Sequence, residues 1–340
     1  MSLGGYLLKR ILLSALVLLG VLVITFSISR LIPSDPAALY AGGRARQAQV
    51  EEVRNKLGLD KPIPIQFVMY VSDVARGDLG RSFSSKRLIS QDLARYIPAT
   101  LELVIAASLL AVVVGIPIGV LSAAKKGELF DQTSRIIAIA GVSIPAFWLG
   151  LLLQMLFFGY LDWLPLGGRV SRDIALFNPI EPVTRFYLID ALIMGNWKAW
   201  IDAIQHLILP AMVLATYSVG LTIRMTRASM VEVLNETYVE AARAAGITNR
   251  VILFRLALKN AIIPTLTVLG LTFAFSITGA VLVEIIFSWP GIGKYLTDAV
   301  VDVDFPVVIG VTLFVTIIYI AVNLLIDLLQ ASLDPRIRLG

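Results

Sequence analysis

The string Ser288-Trp-Pro-Gly-Ile-Gly-Lys294-Tyr295 comes nearest to a phosphate-cradling loop in this sequence, because it sets glycines ahead of a lysine. Such a loop needs its first glycine for close backbone approach and a Ser or Thr after the lysine to reach a magnesium ion. Ser288 stands where that first glycine belongs and Tyr295 where the hydroxyl residue belongs, so nucleotide chemistry is excluded. His206 is the only histidine and cysteine is absent, which leaves almost no material for a histidine-based metal site, a thiolate cluster or a Ser-His triad. No catalytic, metal-ligating or cofactor-binding residue is assigned. Asn235-Glu-Thr237 has the form of a glycosylation sequon.

The elements around these residues are made for lipid. Of the 340 residues 57% are hydrophobic and 16% charged, and the mean hydropathy is +0.83, more apolar surface than one soluble core can hide. Crossing a hydrocarbon core takes roughly 20 helical residues. Six runs qualify: Ile11–Ser29, Ala99–Ala123, Ser134–Phe158, Leu207–Met225, Ala261–Ile286 and Pro306–Leu329. They are apolar all round rather than alternating, which predicts an all-α integral membrane protein and not a closed barrel. The first run lacks an evident small-residue cleavage site and reads as a spanning helix, not a secretory signal.

Charge sets the orientation, since short cytoplasmic loops carry the excess of Lys and Arg. The connection 226–260 holds Arg227, Arg243, Arg250, Arg255 and Lys259 against Glu232, Glu236 and Glu240. The connection 287–305 holds Lys294 against Asp298, Asp302 and Asp304. The first is therefore cytoplasmic, the second external, and the sequon on the cytoplasmic side is a chance match. Lys9, Arg10, Lys125, Lys126, Arg336 and Arg338 put both termini inside. The net charge of +5 is then a topology device, and no nucleic-acid partner is implied.

The chain divides into an N-terminal span (1–30), an extracytoplasmic lobe (31–98), a core of five spans (99–329) and a cytoplasmic tail (330–340). Within the lobe, helical stretches Gln47–Leu57 and Ile63–Arg76 are ended by Gly58 and Gly77. A second external segment, Asp162–His206, carries Trp163, Trp197 and Trp200, suited to interfacial anchoring or to solute contact.

No ionisable group sits mid-span; Glu102, Arg135, Arg224, Glu284 and Asp327 fall near span ends, where snorkelling or water accommodates them. Gln154 reads as an interhelical hydrogen-bonding residue. Energy for any work must therefore come from a partner, and one cytoplasmic stretch could receive it. Glu232, Glu236 and Glu240 recur at i, i+4 and i+8 as one helical stripe, followed by the Ala-rich turn to Gly246. Alone, that stripe fits a solvated face as well as a docking surface.

Glu240-Ala241-Ala242, then three residues, then Gly246, resembles the EAA motif of permease subunits in ABC importers. Pro264 follows Gly246 by eighteen residues, similar to the peptide-importer branch. Leu31-Ile-Pro33-Ser34-Asp35-Pro36 resembles that branch's Pro-Gly-Asp-Pro, with Ser34 in place of Gly. Gly58-Leu-Asp60-Lys61-Pro62, Gly77-Asp78-Leu-Gly80-Arg81-Ser82-Phe83, Ile189-Asp190-Ala-Leu, His206-Leu-Ile-Leu-Pro210, Glu284-Ile-Ile-Phe287-Ser-Trp289-Pro290-Gly-Ile-Gly293 and Asp334-Pro335-Arg336-Ile337-Arg338 extend the likeness along nearly the whole chain.

The resemblance implies an ABC importer type I permease with six spans, one of two homologous permease subunits for dipeptides or oligopeptides. It implies two cytoplasmic ATPases, which hold the ATP and Mg, and an extracytoplasmic solute-binding protein. Oligosaccharide, glutathione or nickel transport remains open, as does a non-transport assembly or sensory role. The ATPase-coupling segment would comprise Glu240, Ala241, Ala242, Arg243, Gly246 and Arg250. Thr267, Gly270, Ala274 and Thr278 form a small-residue stripe on span five, expected to face the partner permease, the pathway or a seam within the subunit. Trp289, Pro290, Gly291 and Gly293 are expected to form a turn at the outer mouth, as a gate or as a simple helix stop.

Overall fold

The computed structural model describes residues 3–31, 35–41, 45–56 and 58–333. Pro33, Ser34, Leu57 and the Asp334–Arg338 string lie outside the described residues, as do the tail charges Arg336 and Arg338. Among the described residues the regular structure is helical, with one isolated bridge between Arg81 and Leu88. The chain separates into two compact units: the chain up to Ile97 with Tyr295–Ile320, and Pro98–Lys294 with the chain from Ala321 onward.

In the first unit, α1 (Leu3–Leu31) is followed by α2 (Pro36–Ala41), α3 (Gln47–Lys56) and α4 (Ile63–Ala75). Gly58 and Gly77 both have positive φ, as expected of residues that end helices. Phe26 of α1 packs on Phe67 and Tyr70 of α4, with ring centroids 5.3 and 5.7 Å apart. The Gly77–Phe83 string is tied down by Asp304, whose carboxylate accepts from Ser82 Oγ (2.6 Å) and the Ser84 amide (2.9 Å). Tyr295 donates its hydroxyl to Asp92 (3.0 Å) and stacks on Tyr96. Burial and the nearby Asp92 carboxylate hold the Tyr295 phenol well above its ordinary range, so it remains a donor.

The second unit holds most of the helices between Ile89 and Ile286, whereas most of the helix Ile292–Val301 and the first half of the helix Phe305–Leu333 belong to the first unit. Helix α5 (Ile89–Leu110) runs through a π-helical turn, Ala111–Gly115, into α6 (Ile116–Ala124). Then come α7 (Leu129–Ser143), α8 (Ala146–Gln154) with a π-helical end at Met155–Tyr160, α9 (Arg172–Phe177), α10 (Tyr187–Ile193) and α11 (Trp197–Val233). The short α12 (Thr237–Ala244) precedes α13 (Asn249–Val251), which passes through a third π-helical turn, Ile252–Ala257, into α14 (Leu258–Ile286). Helices α15 (Ile292–Val301) and α16 (Phe305–Leu333) close the chain.

Five of these stretches are long and apolar enough to span a bilayer, and a sixth if the bent pair α7–α8 is one span. That pair covers the Ser134–Phe158 run and bends by 104° within it. The cause is Pro145: its ring disfavours helical backbone at the preceding residue, and Ile144 is extended, with φ −74° and ψ 126°.

Helix α11 departs from expectation. It has 37 residues, roughly 55 Å at 1.5 Å per residue, and extends well beyond Leu207–Met225 at both ends. Trp197, Trp200 and His206, placed in the external segment Asp162–His206 by the sequence, therefore lie on this helix. Asn196 caps its start by accepting from the Ala199 amide (3.1 Å). Small residues let neighbouring helices close on α11: a Cβ at Gly115 or Gly119 would come within 2.8 Å of Thr222 or 2.6 Å of Thr226.

Candidate functional site

Helix α12 carries the Glu240–Gly246 segment. Its Val239 and Ala242 are buried, in one apolar cluster with Val120 and Ala123 of α6, Met230 of α11, and Ile252 and Ala261 further along. Glu240, Ala241, Arg243 and, beyond the helix, Gly246 and Arg250 are exposed. The segment thus has one face seated on the helix ends and one face free. Tyr238 fixes its direction, since its hydroxyl accepts from Asn260 Nδ2 at 2.9 Å.

The acidic stripe does not form. Helix α11 ends at Val233 and α12 begins at Thr237, so Glu232, Glu236 and Glu240 fall on three different pieces of backbone. Glu236 is the extended N-cap of α12, with φ −75° and ψ 146°, and a residue in that conformation interrupts helical periodicity. The connection also begins at Leu234 rather than Thr226, because α11 overruns the apolar run. Among the described residues Glu240 and Arg243 make no ion pair.

Gly246 ends α12 with φ +74°. Its amide donates to the Arg243 carbonyl (3.0 Å), and the Ile247 amide reaches back to the Ala242 carbonyl (3.1 Å). These are the two bonds of a Schellman motif, which satisfies the last carbonyls of the helix and needs a left-handed residue at this point.

Below α12, Asp131 of α7 is buried and accepts from Arg227 of α11, from Ser122 Oγ (2.7 Å) and from the Gly127 amide (2.9 Å). This ties the α6–α7 turn to α11 in a way no sequence spacing indicated.

At the other end of α14, Trp289, Gly291 and Gly293 are buried and Pro290 is half-buried. Trp289 donates from Nε1 to the Ala99 carbonyl (2.9 Å), and the Phe287 carbonyl accepts from the Gly168 amide (2.7 Å). Gln154 Nε2 bonds the carbonyls of Leu166 (2.8 Å) and Ile286 (3.1 Å), an interhelical link of the expected kind. Glu284 is wholly buried instead of snorkelling. It accepts from Thr100 Oγ1 (2.5 Å), the Lys294 amide (3.0 Å) and the Gly293 amide. The amides a phosphate would need are thus occupied by a carboxylate of the same chain.

Glu102 is likewise buried rather than snorkelling. Its Oε2 accepts from Arg169 Nε (2.9 Å) and Nη2 (2.6 Å), and its Oε1 from the Leu188 amide (2.9 Å). The Arg169 guanidinium lies 3.8 Å from the centre of the Tyr187 ring. Arg224 and Arg135, by contrast, are exposed.

The stripe on α14 splits. Gly270 faces α16, where an added Cβ would collide with Ile326, and Ala274 is buried; Thr267 is half-buried and Thr278 exposed. Gly270 belongs to a seam within the subunit. Gly270→Val is expected to lower stability by about 1–3 kcal/mol through overpacking, and Thr278→Val to stay within about 0.5 kcal/mol. Thermal unfolding of the purified complex measures both.

Residues 115–339 match the family described as binding-protein-dependent transport system inner membrane component, and residues 3–104 match the N-terminal family of the same system. The chain is 48% identical over 325 residues to the probable D,D-dipeptide transport system permease protein DdpB of Escherichia coli K12, covering 96% of this chain and 95% of that one. It is 45% identical to the di/tripeptide transport system permease protein DppB of Pseudomonas aeruginosa UCBPP-PA14, covering 94% of each. Among solved structures, a chain of the MetNI methionine ABC transporter in an inward-facing form superposes with a TM-score of 0.52 at 15% identity, covering 71% of this chain and 96% of that one. At that identity the likeness concerns the fold alone. Members of this family are permeases that work with a binding protein and with ATPases on separate chains. The chain therefore belongs to the inner-membrane components of binding-protein-dependent transport systems, a multi-pass membrane permease of the ABC type and not an enzyme.

Proposed function

We propose that this chain forms half of the translocation pathway of an importer for dipeptides and other short peptides. It does so beside a homologous second permease, with two ATPase subunits on the cytoplasmic side and a solute-binding protein outside. The observation that carries the coupling role is the seat of α12. One face is packed on three helix ends and the other is open, so force applied to the open face reaches α6, α11 and α14 together. Glu240, Ala241, Arg243 and Arg250 would meet the ATPase, and ATP with Mg would be held there and not by this chain. The peptide assignment is supported by what the D,D-dipeptide and di/tripeptide relatives are named for.

On this reading the bent pair α7–α8 is one span, giving six, with both termini cytoplasmic. The 31–98 lobe and the Trp289 turn lie on the external side, and 226–260 contains the cytoplasmic coupling loop. The charge bias of the loops supports this orientation. The natural absence of cysteine makes a direct test simple. In intact cells a membrane-impermeant maleimide should label Val301→Cys, at a position 76% exposed, and should label Glu240→Cys only after permeabilisation. The opposite pattern would invert the topology. Function is tested by uptake of labelled dipeptide into vesicles holding the complete complex. Uptake that needs both ATP and the binding protein is the expected result; preference for a sugar, a metal or glutathione would reassign the solute.

A further inference from the structure

We propose that Glu284 is the positioning residue of the Trp289–Lys294 turn, clamping it to the second span through Thr100 so that turn and span move as one piece during transport. The proposal rests on the transport function and adds to it which internal contact the pathway's wall depends on.

Glu284 is fully buried near the end of α14, where no water can stand in for a lost partner. Its carboxylate faces the first turn of α15, accepting from the amides of Gly293 and Lys294. Acidic groups are favoured at a helix N-terminus, where amides lack partners within the helix. Thr100 completes the clamp from the second span. Its hydroxyl donates to Glu284 Oε1 (2.5 Å) and accepts from the Ile292 amide (2.8 Å), so one side chain holds both the carboxylate and the turn.

The space is built for this arrangement. An added Cβ at Gly291 would collide with the Glu284 carboxylate, and one at Gly293 would lie 2.5 Å from Val281 Cα. Both glycines are thus needed for backbone to reach the carboxylate. Trp289 adds an independent grip one residue earlier on the second span, through the Ala99 carbonyl (2.9 Å). Two consecutive residues of that span, Ala99 and Thr100, therefore hold one turn.

Glu284→Gln keeps the shape but turns one acceptor into a donor facing N–H groups, and Thr100→Val removes the hydroxyl without changing size. Hydrogen exchange of the assembled complex should quicken about tenfold or more at residues 291–294 in both variants, with the middle of α14 unchanged. The number of peptides taken up per ATP hydrolysed should fall in both. Thr100→Ser, which restores the hydroxyl, should return both readings to wild type. Faster exchange with an unchanged uptake ratio would reduce Glu284 to a structural contact and overturn the proposal, as would unchanged exchange. If Glu284→Gln fails to assemble, the Thr100 pair decides. Should the wild-type complex transport no peptide at all, the function reading fails, while the exchange arm still tests the clamp.

Discussion

Replacing Gly246 by valine is expected to leave the permease assembled but to separate ATP hydrolysis from uptake. Gly246 has φ +74°, and an added Cβ would meet nothing within 4 Å, so the damage is to the backbone and not to packing. An ordinary residue pays about 1–2 kcal/mol to enter the left-handed region, and a β-branched one fits it worst. To escape that cost the chain would leave the left-handed conformation, losing the two bonds to the Arg243 and Ala242 carbonyls that end α12. The helix would then present its open face at a different angle to the ATPase. Asparagine tolerates this backbone, so Gly246→Asn should keep most of the coupling. Glu240→Gln should be mild, because Glu240 is exposed and without an ion-pair partner among the described residues. The measurement is binding-protein-stimulated hydrolysis and uptake in vesicles, with assembly checked alongside. Gly246→Val with all three intact would make this segment a plain connection.

Arg169→Met should cost the fold more than Gly270→Val does. Both side chains of the Glu102–Arg169 pair are 6% exposed. Removing one partner of a buried pair typically costs about 3–5 kcal/mol, because the other charge is left without compensation. Arg169 also anchors the segment after α8 by donating to the Arg185 carbonyl (2.9 Å) and by lying over Tyr187. The double variant Glu102→Gln with Arg169→Met should regain a good part of the loss, since no unpaired charge remains. Thermal unfolding of the detergent-solubilised complex reads the difference. Equal losses in the single and double variants would mean that the stacking, not the charge pair, carries the stability.

Much of the fold follows from local rules that need only the order of residues. Apolar runs of sufficient length must be helices in lipid, because every backbone polar group has to be satisfied within the segment. Gly58, Gly77 and Gly246 end their helices, for the left-handed turn is a property of one residue and its immediate neighbours. The departure of Ser288–Tyr295 from a phosphate loop is likewise a matter of residue types alone, Ser288 and Tyr295 standing where a glycine and a Ser or Thr are needed.

Boundaries and partners were not legible. Composition cannot locate the end of α11, because polar residues such as Arg227 continue the helix when something meets them, and in this fold Asp131 does. The break at Glu236 erased a stripe that spacing alone would have drawn, and Pro145 bent a span whose apolar pattern is continuous. The charged residues near span ends looked alike in sequence. Only packing decided that Arg135 and Arg224 reach outward while Glu102 and Glu284 turn inward. Arg169 stands 67 positions from Glu102, and Thr100 stands 184 from Glu284. Periodicity carries information about neighbours three or four residues apart. A contact between residues that far apart exists only once the helices have packed, which is why the sequence by itself determined the membrane bundle and the helix-ending glycine, and tertiary structure alone decided which buried charges hold it together.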